Sequence, residues 1–461
     1  MRKLSSRLTI VLSAASLAAC VAVPKPPPHS PPASAVGSFQ GGQTPLAVGG
    51  PPPGDWWRLF SDPALDGHIQ RALAANTDLR VAVANLQAAR ATARQTDAAR
   101  WPATVIESGA GPDRAARQPS TSSVPKTSYE LGATVAFEID LFGRLGSEAA
   151  AANADAQALE AARDAARIAV VGDTVSAYLD LCAANAGEKL ALAIAKAQQR
   201  SYELVSEQLR AGEVSPLEVG QARTLLDQIN AAVPVFAADR RRALYRLATL
   251  EGLAPAEALR FDASCSAPPR IETPLPVGEG AALIARRPDV REAEQKLVAA
   301  SARIGVARAD LYPRIRLGGS GGLIAGGSDA ILTPLITWAF PNQAAIRARI
   351  AAAKGDSDAA LAAWDGVMLT ALREVETALS DYQAEMTRHG QLASAAAESE
   401  RAARRASARH RLGADSYLVV IDAERSRNTA AAQLLASDLR LAQIQVVLFR
   451  ALGGGWEGAA Q

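Results

Sequence analysis

Residues 144–211 contain no proline, and apart from Gly146, Gly172 and Gly187 nothing in them opposes a helix. Alanine, the best intrinsic helix former, recurs throughout. An unbroken helix of that length reaches roughly 100 Å at 1.5 Å per residue. Residues 343–411 offer a second stretch of the same kind. Rods of this size do not fit inside ordinary globules, so the 461 residues are not read as three standard domains. Alanine makes up roughly a fifth of the chain and aromatics 5%, so the 49% apolar content rests largely on small methyl groups. Each alanine buries little area, but helices coated with it approach one another closely.

Composition also removes whole classes of function. Forty-nine basic residues against 47 acidic ones leave a net charge of +2 and no basic excess for nucleic acid. Four scattered histidines and three cysteines lack zinc spacing, so neither a metal nor any other cofactor is expected. No catalytic constellation is present, and an enzyme is not expected. Beyond the N-terminus no run of 18 apolar residues occurs, which excludes a bundle of membrane-spanning helices.

The chain repeats itself. Leu73, Asp78, Leu79, Arg80, Ala82, Leu86 and Trp101-Pro102 align, 211 residues on, with Ile284, Asp289, Val290, Arg291, Ala293, Leu297 and Tyr312-Pro313. Each helical pattern stops at an aromatic-proline pair, where the backbone turns extended. At an offset of 201, Arg210-Ala211-Gly212 and Leu217-Glu218-Val219 align with Arg411-Leu412-Gly413 and Leu418-Val419-Val420. Each glycine stands between two helical stretches, as a left-handed cap requires. The expected plan is two copies of helix, β-hairpin, long helix, turn and return helix. The first copy covers 55–251, with hairpin 101–140, long helix 144–211 and return helix 216–251. The second covers 279–452, with hairpin 312–340, long helix 343–411 and return helix 416–452. A proline-rich linker, 252–278, joins the copies, and 453–461 forms a tail. Apolar steps of three and four in the return helices, such as Leu225, Ile229, Val233 and Phe236, trace a coiled-coil seam. Pro234 is expected to kink the first of them. Each hairpin holds two strands of about 9 to 11 residues, enough for a tilted membrane strand. Alternation is poor in the second, where Gly318-Gly319-Ser320-Gly321-Gly322 reads as loop if taken alone.

Residues 1–19 read as a signal peptide, with Arg2, Lys3 and Arg7 before the apolar run Leu8 to Leu17. The run ends in Leu17-Ala18-Ala19-Cys20, which resembles a bacterial lipobox. That makes Cys20 the acylated first residue of the mature chain, carrying S-diacylglycerol and N-acyl lipid. The other reading is an ordinary secretory signal with a chance cysteine. Val21 follows in place of the aspartate associated with inner-membrane retention, which favours the outer membrane. Residues 20–54 are expected to form an extended tether without the apolar residues to fold alone.

Several segments together carry a resemblance to a known family. They include Trp56-Trp57 with Phe60, Asp62-Pro63 and Leu65; Asn76-Thr77-Asp78-Leu79; and Phe137-Glu138-Ile139-Asp140-Leu141-Phe142-Gly143-Arg144. Arg286-Arg287-Pro288-Asp289-Val290-Arg291, Ile304-Gly305-Val306-Ala307-Arg308 and the terminal Ala451-Leu452-Gly453-Gly454-Gly455-Trp456 complete the set. In this order the chain resembles the TolC-type outer-membrane efflux proteins, in the lipoprotein branch that serves resistance-nodulation-division pumps. The resemblance covers nearly all of the mature chain. It implies a mainly α fold with a membrane β-barrel: a homotrimer in which four strands per protomer close one barrel and the long helices form a periplasmic tunnel. The linker 252–278 would belong to an equatorial belt. The partners implied are a periplasmic adaptor, an inner-membrane pump and outer-membrane lipid, and the activity is passive conduction of small molecules. Two features depart from the pattern. Phe340-Pro341-Asn342-Gln343 stands where the family has a glycine pair, and the second hairpin is short, with Gly326-Gly327 near its tip. A trimmed outer loop is the favoured explanation.

The resemblance also assigns residues. Positions matching Leu418, Asp422 and Arg425 line the periplasmic aperture in the family, and their spacing of four and three puts them on one helical face. Leu418 would constrict the passage while Asp422 and Arg425 pair between helices; the plainer reading is a solvated i,i+3 ion pair of small effect. Glu218 is a weaker candidate at the first turn, with an ordinary surface glutamate as the alternative. The turns at Gly212, Val214 and Ser215 and at Gly413 and Ser416 are expected to receive the adaptor. Cys182 lies midway along its helix, where the linker carrying Cys265 can reach it, and either a disulfide or two buried thiols is expected. Trp56 and Trp57 either anchor at a membrane interface or, preferably, pack against the belt. His68, His389 and His410 have no nearby sequence partners and are expected to be exposed. Two rival functions remain: a type I protein-secretion duct, and a coiled-coil lipoprotein that spaces envelope layers without conducting.

Overall fold

The computed structural model describes residues 23–42, 47–112, 127–261, 265–324 and 327–455. They form two compact units that cut across the sequence repeats. One unit gathers the segment ending at Ser30 with Ala84–Ala161 and Arg291–Val367; the other gathers Pro31–Val83, Ala162–Val290 and the chain from Met368 onward. Each unit therefore takes part of both repeats.

The first unit is built on one antiparallel meander of four strands, ordered β2 (Ala103–Pro112), β3 (Thr127–Ile139), β5 (Arg314–Ile324) and β6 (Gly327–Thr337). The short β1 (Ala47–Val48) and β4 (Leu275–Pro276) belong to the second unit and pair in parallel there. The glycine run of β5 lies in the sheet: Gly318, Gly319, Gly321 and Gly322 stand opposite Ala136, Val135, Ala133 and Gly132 of β3. Glycine weakens an isolated strand, but β5 is paired on both sides, so the ladders supply what its own sequence lacks. The outer strands β2 and β6 each have one neighbour. Large apolar side chains stand exposed on them, including Ile106, Ile331, Leu332 and Ile336.

The helices follow the repeat. In the first copy they are α1 (Pro63–Ala75), α2 (Thr77–Ala98), α3 (Arg144–Arg210, 67 residues) and α4 (Pro216–Leu250). In the second they are α5 (Gly280–Arg286), α6 (Pro288–Ala309), α7 (Ala344–Arg411, 68 residues) and α8 (Tyr417–Ala451). The helix α4 runs on through Pro234. No described helix is long and apolar enough to cross a membrane. Starts and stops have local causes. Asp62 caps α1 through the amides of Ala64 and Leu65. Asp140 accepts from the amides of Leu145 (3.1 Å) and Gly146 (2.8 Å), which opens α3 straight after β3. In the second copy that place is held differently: Trp338 Nε1 and Gln343 Nε2 both donate to the Leu311 carbonyl.

The core of the second unit is a cluster in which Trp56 stacks on Phe449 at 4.9 Å with Leu65, Ile69, Leu179, Leu247 and Leu448 around them. Trp56 and Trp57 are buried, and Trp57 donates to Asp66 at 2.8 Å, so they serve packing and not a membrane surface. Two expectations are corrected here. The stretch expected as an extended tether is docked around Phe39, which is buried, and the amides of Gln40 and Gly41 donate to the Glu376 carboxylate. The segment borrows its core from the body, which is how a chain too polar to fold alone becomes ordered. His68 is 3% exposed, not solvated, because its Nδ1 sits 2.5 Å from Glu251, which also accepts from Arg71. His389 is likewise partnered, by Asp438 at 2.7 Å, and His410 meets the Asp415 carbonyl.

Candidate functional site

The two helical turns, at Gly212 and Gly413, lie in the second unit on one small core. Each long helix ends in a Schellman motif. Gly212 has φ +78°, its amide donates to Leu209, and the Glu213 amide donates to Gln208. Gly413 has φ +72°, with matching bonds to His410 and from Ala414 to Arg409. Left-handed backbone of this kind favours glycine. Val205, Ala222 and Leu225 of the first copy pack with Ala406, Tyr417, Val420 and Ile421 of the second. The Tyr417 hydroxyl lies 2.6 Å from Ser201 Oγ and ties α8 to α3.

Leu418, Asp422 and Arg425 emerge together on one exposed side of α8. Leu418 is 45% exposed, as are other helix leucines of this chain such as Leu192 at 51% and Leu217 at 64%. Neither Asp422 nor Arg425 makes an ion pair among the described residues, so the i,i+3 pair between them is not formed in the protomer. A different pair, which sequence reasoning missed, is formed beside them: Arg427 binds Glu424 and lies 3.7 Å from Glu400 of α7. Burial pushes the Glu424 carboxyl above its ordinary range, against the pull of Arg427. The spacing 424/427 equals 422/425, so sequence alone offered no signal to separate them; packing against α7 does. Glu218 has a local task. Its carboxylate accepts from the Ser215 amide at 2.8 Å and closes the N-terminus of α4. Val214 is half-buried, whereas Ser215, Gly212, Gly413 and Ser416 are exposed on the turns.

Cys182 and Cys265 are joined as a disulfide with Cα atoms 5.2 Å apart, and Asn185 donates to the Cys265 carbonyl. The linker is thereby held on α3. Cys20 lies outside the described residues, as do Gly326 and Trp456. Among the described residues no group of His, Cys, Asp or Glu is arranged to hold a metal.

The comparisons with known proteins agree with this arrangement. The model of the outer membrane efflux protein family matches residues 68–253 and 281–454, one match per structural repeat. The toluene efflux pump outer membrane protein TtgI of Pseudomonas putida is 32% identical over 417 residues, 86% of this chain and 87% of that one. Outer membrane protein OprJ of Pseudomonas aeruginosa is 32% identical over 472 residues, covering 99% and 97%. Among solved structures, the outer-membrane channel OprN superposes with a TM-score of 0.86 at 34% identity, covering 94% of this chain and 99% of that one. With the family model matching both structural repeats and relatives matching along nearly its whole length, this chain belongs to the outer membrane efflux protein family.

Proposed function

We propose that three copies of this chain join their four-stranded sheets into one closed barrel in the outer membrane and their helices into a gated periplasmic conduit. The carrying observation is the meander with one open edge on β2 and another on β6, both bearing exposed apolar side chains. Unpaired edges are not tolerated in lipid, and a three-fold ring joins each β2 to a neighbour's β6 without leaving any. The conduit passes small molecules delivered by an inner-membrane pump of the resistance-nodulation-division class through a periplasmic adaptor that docks on the Gly212 and Gly413 turns. The relatives named for pumps of solvents and toluene support that class of cargo. An acylated Cys20 anchors the mature chain.

In the trimer the exposed faces of α8 meet at the periplasmic end. Leu418 narrows the passage, and Asp422 pairs with Arg425 of a neighbouring copy, which explains why both lack partners within one protomer. Engagement of the adaptor opens the passage only by binding the splayed state more tightly. Planar-bilayer recording of the purified trimer tests this reading. Asp422→Ala with Arg425→Ala shifts the closed-to-open balance by about tenfold or more, the size of a lost charge-assisted contact. The first-repeat counterparts, Gln221 and Thr224, leave conductance unchanged when replaced by alanine. Conductance that stays at the wild-type level in the double variant removes these residues from the gate, and a protein without any conductance removes the conduit.

A further inference from the structure

The turns at Gly212 and Gly413 share one backbone design and present different surfaces. Each exposes a large apolar side chain: Leu217, in the first turn of α4, is 64% exposed, and Leu412, directly before Gly413, is 84% exposed. A lone exposed leucine is ordinary. Here each one is rimmed by charge of a single predominant sign.

Around Gly212 stand Glu203, Glu207, Glu213 and Glu218 against Arg210. None of these glutamates pairs with a cation among the described residues; Gln199 donates to Glu203, and the Ser215 amide donates to Glu218. Around Gly413 stand Arg404, Arg405, Arg409 and Arg411 against Asp415. Asp415 neutralises Arg409 at 2.6 Å, and Glu400 neutralises Arg404 at 3.1 Å. Arg405 and Arg411 make no ion pair among the described residues, and Arg411 Nε reaches only the Ser407 carbonyl. Glu207, Glu213, Arg405 and Arg411 are all exposed. Free charge thus remains at both turns, acidic at one and basic at the other.

An apolar centre inside a polar rim is the usual anatomy of a protein interface. Charge on such a rim selects the partner and speeds its encounter more than it adds affinity. A neighbouring copy in a ring lies alongside these helices. Glu213 and Leu412 stand past the last residues of α3 and α7, in the path of a partner that arrives end-on.

We propose, resting on adaptor docking at these turns, that the adaptor meets them with surfaces of opposite charge: a basic one on the Gly212 turn and an acidic one on the Gly413 turn, each seated on the exposed leucine. A swapped arrangement would set like charges together, so the two seats also fix which part of the adaptor goes where.

The test uses three synthetic helical hairpins that differ only in a tip of lysines, glutamates or serines. Fluorescence anisotropy follows their binding to the purified trimer in an uncharged detergent at low salt. Glu207→Gln with Glu213→Gln should weaken the lysine-tipped hairpin about fivefold or more and leave the glutamate-tipped one unchanged. Arg405→Gln with Arg411→Gln should do the reverse. Both differences should vanish near about 1 M salt, where screening acts within roughly 3 Å. Leu217→Ser should weaken the lysine-tipped hairpin, and Leu412→Ser the glutamate-tipped one, at either salt concentration. A serine-tipped hairpin that binds as well as the charged ones keeps docking on the turns and overturns the charge assignment. Charged hairpins that ignore both pairs of glutamine substitutions overturn it too. An altered conductance of the trimer alone in either glutamine pair also overturns it, by assigning these charges to contacts between copies. Failure of all three hairpins to bind removes adaptor docking on the turns itself.

Discussion

Gly212 and Gly413 close α3 and α7 with the same pair of backbone hydrogen bonds, yet the side chains around them carry opposite charge. Between residues 203 and 218 stand Glu203, Glu207, Glu213 and Glu218 against Arg210 alone. In the equivalent window, 404 to 419, stand Arg404, Arg405, Arg409 and Arg411 against Asp415. Cations at a helix C-terminus complement its dipole, so the second turn suits its helix; Glu207 in the last turn of α3 opposes it. The same division recurs at the other end of the return helices. The Leu250 carbonyl accepts from Asn76 at 3.0 Å, and the equivalent Ala451 carbonyl accepts from Arg287 at 2.9 Å. Arg287 also binds Asp289 and Glu374, an ion cluster absent around Asn76. Conversely the first copy buries Glu251 against His68, with the exposed Arg71 also bound to it, where the second has Leu452. Backbone geometry is common to both copies because it follows from glycine and helix length. Side-chain chemistry diverged because several different groups can satisfy the same carbonyl.

The disulfide ties the linker to the first copy only, Gln383 standing in the second copy at the equivalent of Cys182. Cys182→Ser with Cys265→Ser should therefore give the largest loss, about 4.5 kcal/mol for a sequence separation of 83 in the chain-entropy model. Denaturant unfolding with and without reductant measures it, and a loss under about 1 kcal/mol would mean that packing alone holds the linker. Glu251→Gln comes next, at about 3 kcal/mol, because it strands the buried His68. Burial raises the Glu251 carboxyl, but hydrogen bonds from His68 and Arg71 outweigh it and hold the group below its ordinary 4.5. A depressed carboxyl stabilises the fold above its unfolded value and loses that contribution as pH falls through the folded one. Wild-type protein should accordingly lose stability below about pH 4.5, and Glu251→Gln should show a shallower acid slope there. Parallel slopes would show that the cluster does not contribute.

Gly212→Ala and Gly413→Ala should each cost about 1–2 kcal/mol, since neither Cβ meets a neighbour and only the left-handed backbone resists. Unequal melting shifts would break the equivalence of the turns. The smallest effect sharpens their difference. Glu207→Gln should gain about 0.3–1 kcal/mol at low salt by relieving the dipole, while Arg409→Gln should lose a similar amount. Raising the salt concentration should shrink both changes.

Helix extents were the most legible part of this protein. The long helices begin and end within a residue of where prolines, glycines and the alanine content place them. The hairpins were legible only through the repeat, because a run such as Gly318 to Gly322 acquires strand character from neighbours on both sides. His68 was misread because its partner Glu251 lies 183 residues away. The docked N-terminal segment was misread for the same reason, its anchor Glu376 standing more than 300 positions further on. Around the gate, spacing marked two candidate ion pairs of equal merit, and only the packing of α8 on α7 separates Glu424–Arg427 from the exposed Asp422 and Arg425.

What the amino-acid order settled by itself is local: where each helix starts and stops, which backbone positions require glycine, and that two like units follow one another. Those properties depend on dihedral preferences and on groups a few residues apart. Tertiary structure alone decided which charges are buried and paired, which cysteine meets which, and that the Phe236 ring packs onto Gly187 where a Cβ would stand. Such outcomes depend on distances between residues far apart in the chain, and on desolvation that exists only once the helices have packed.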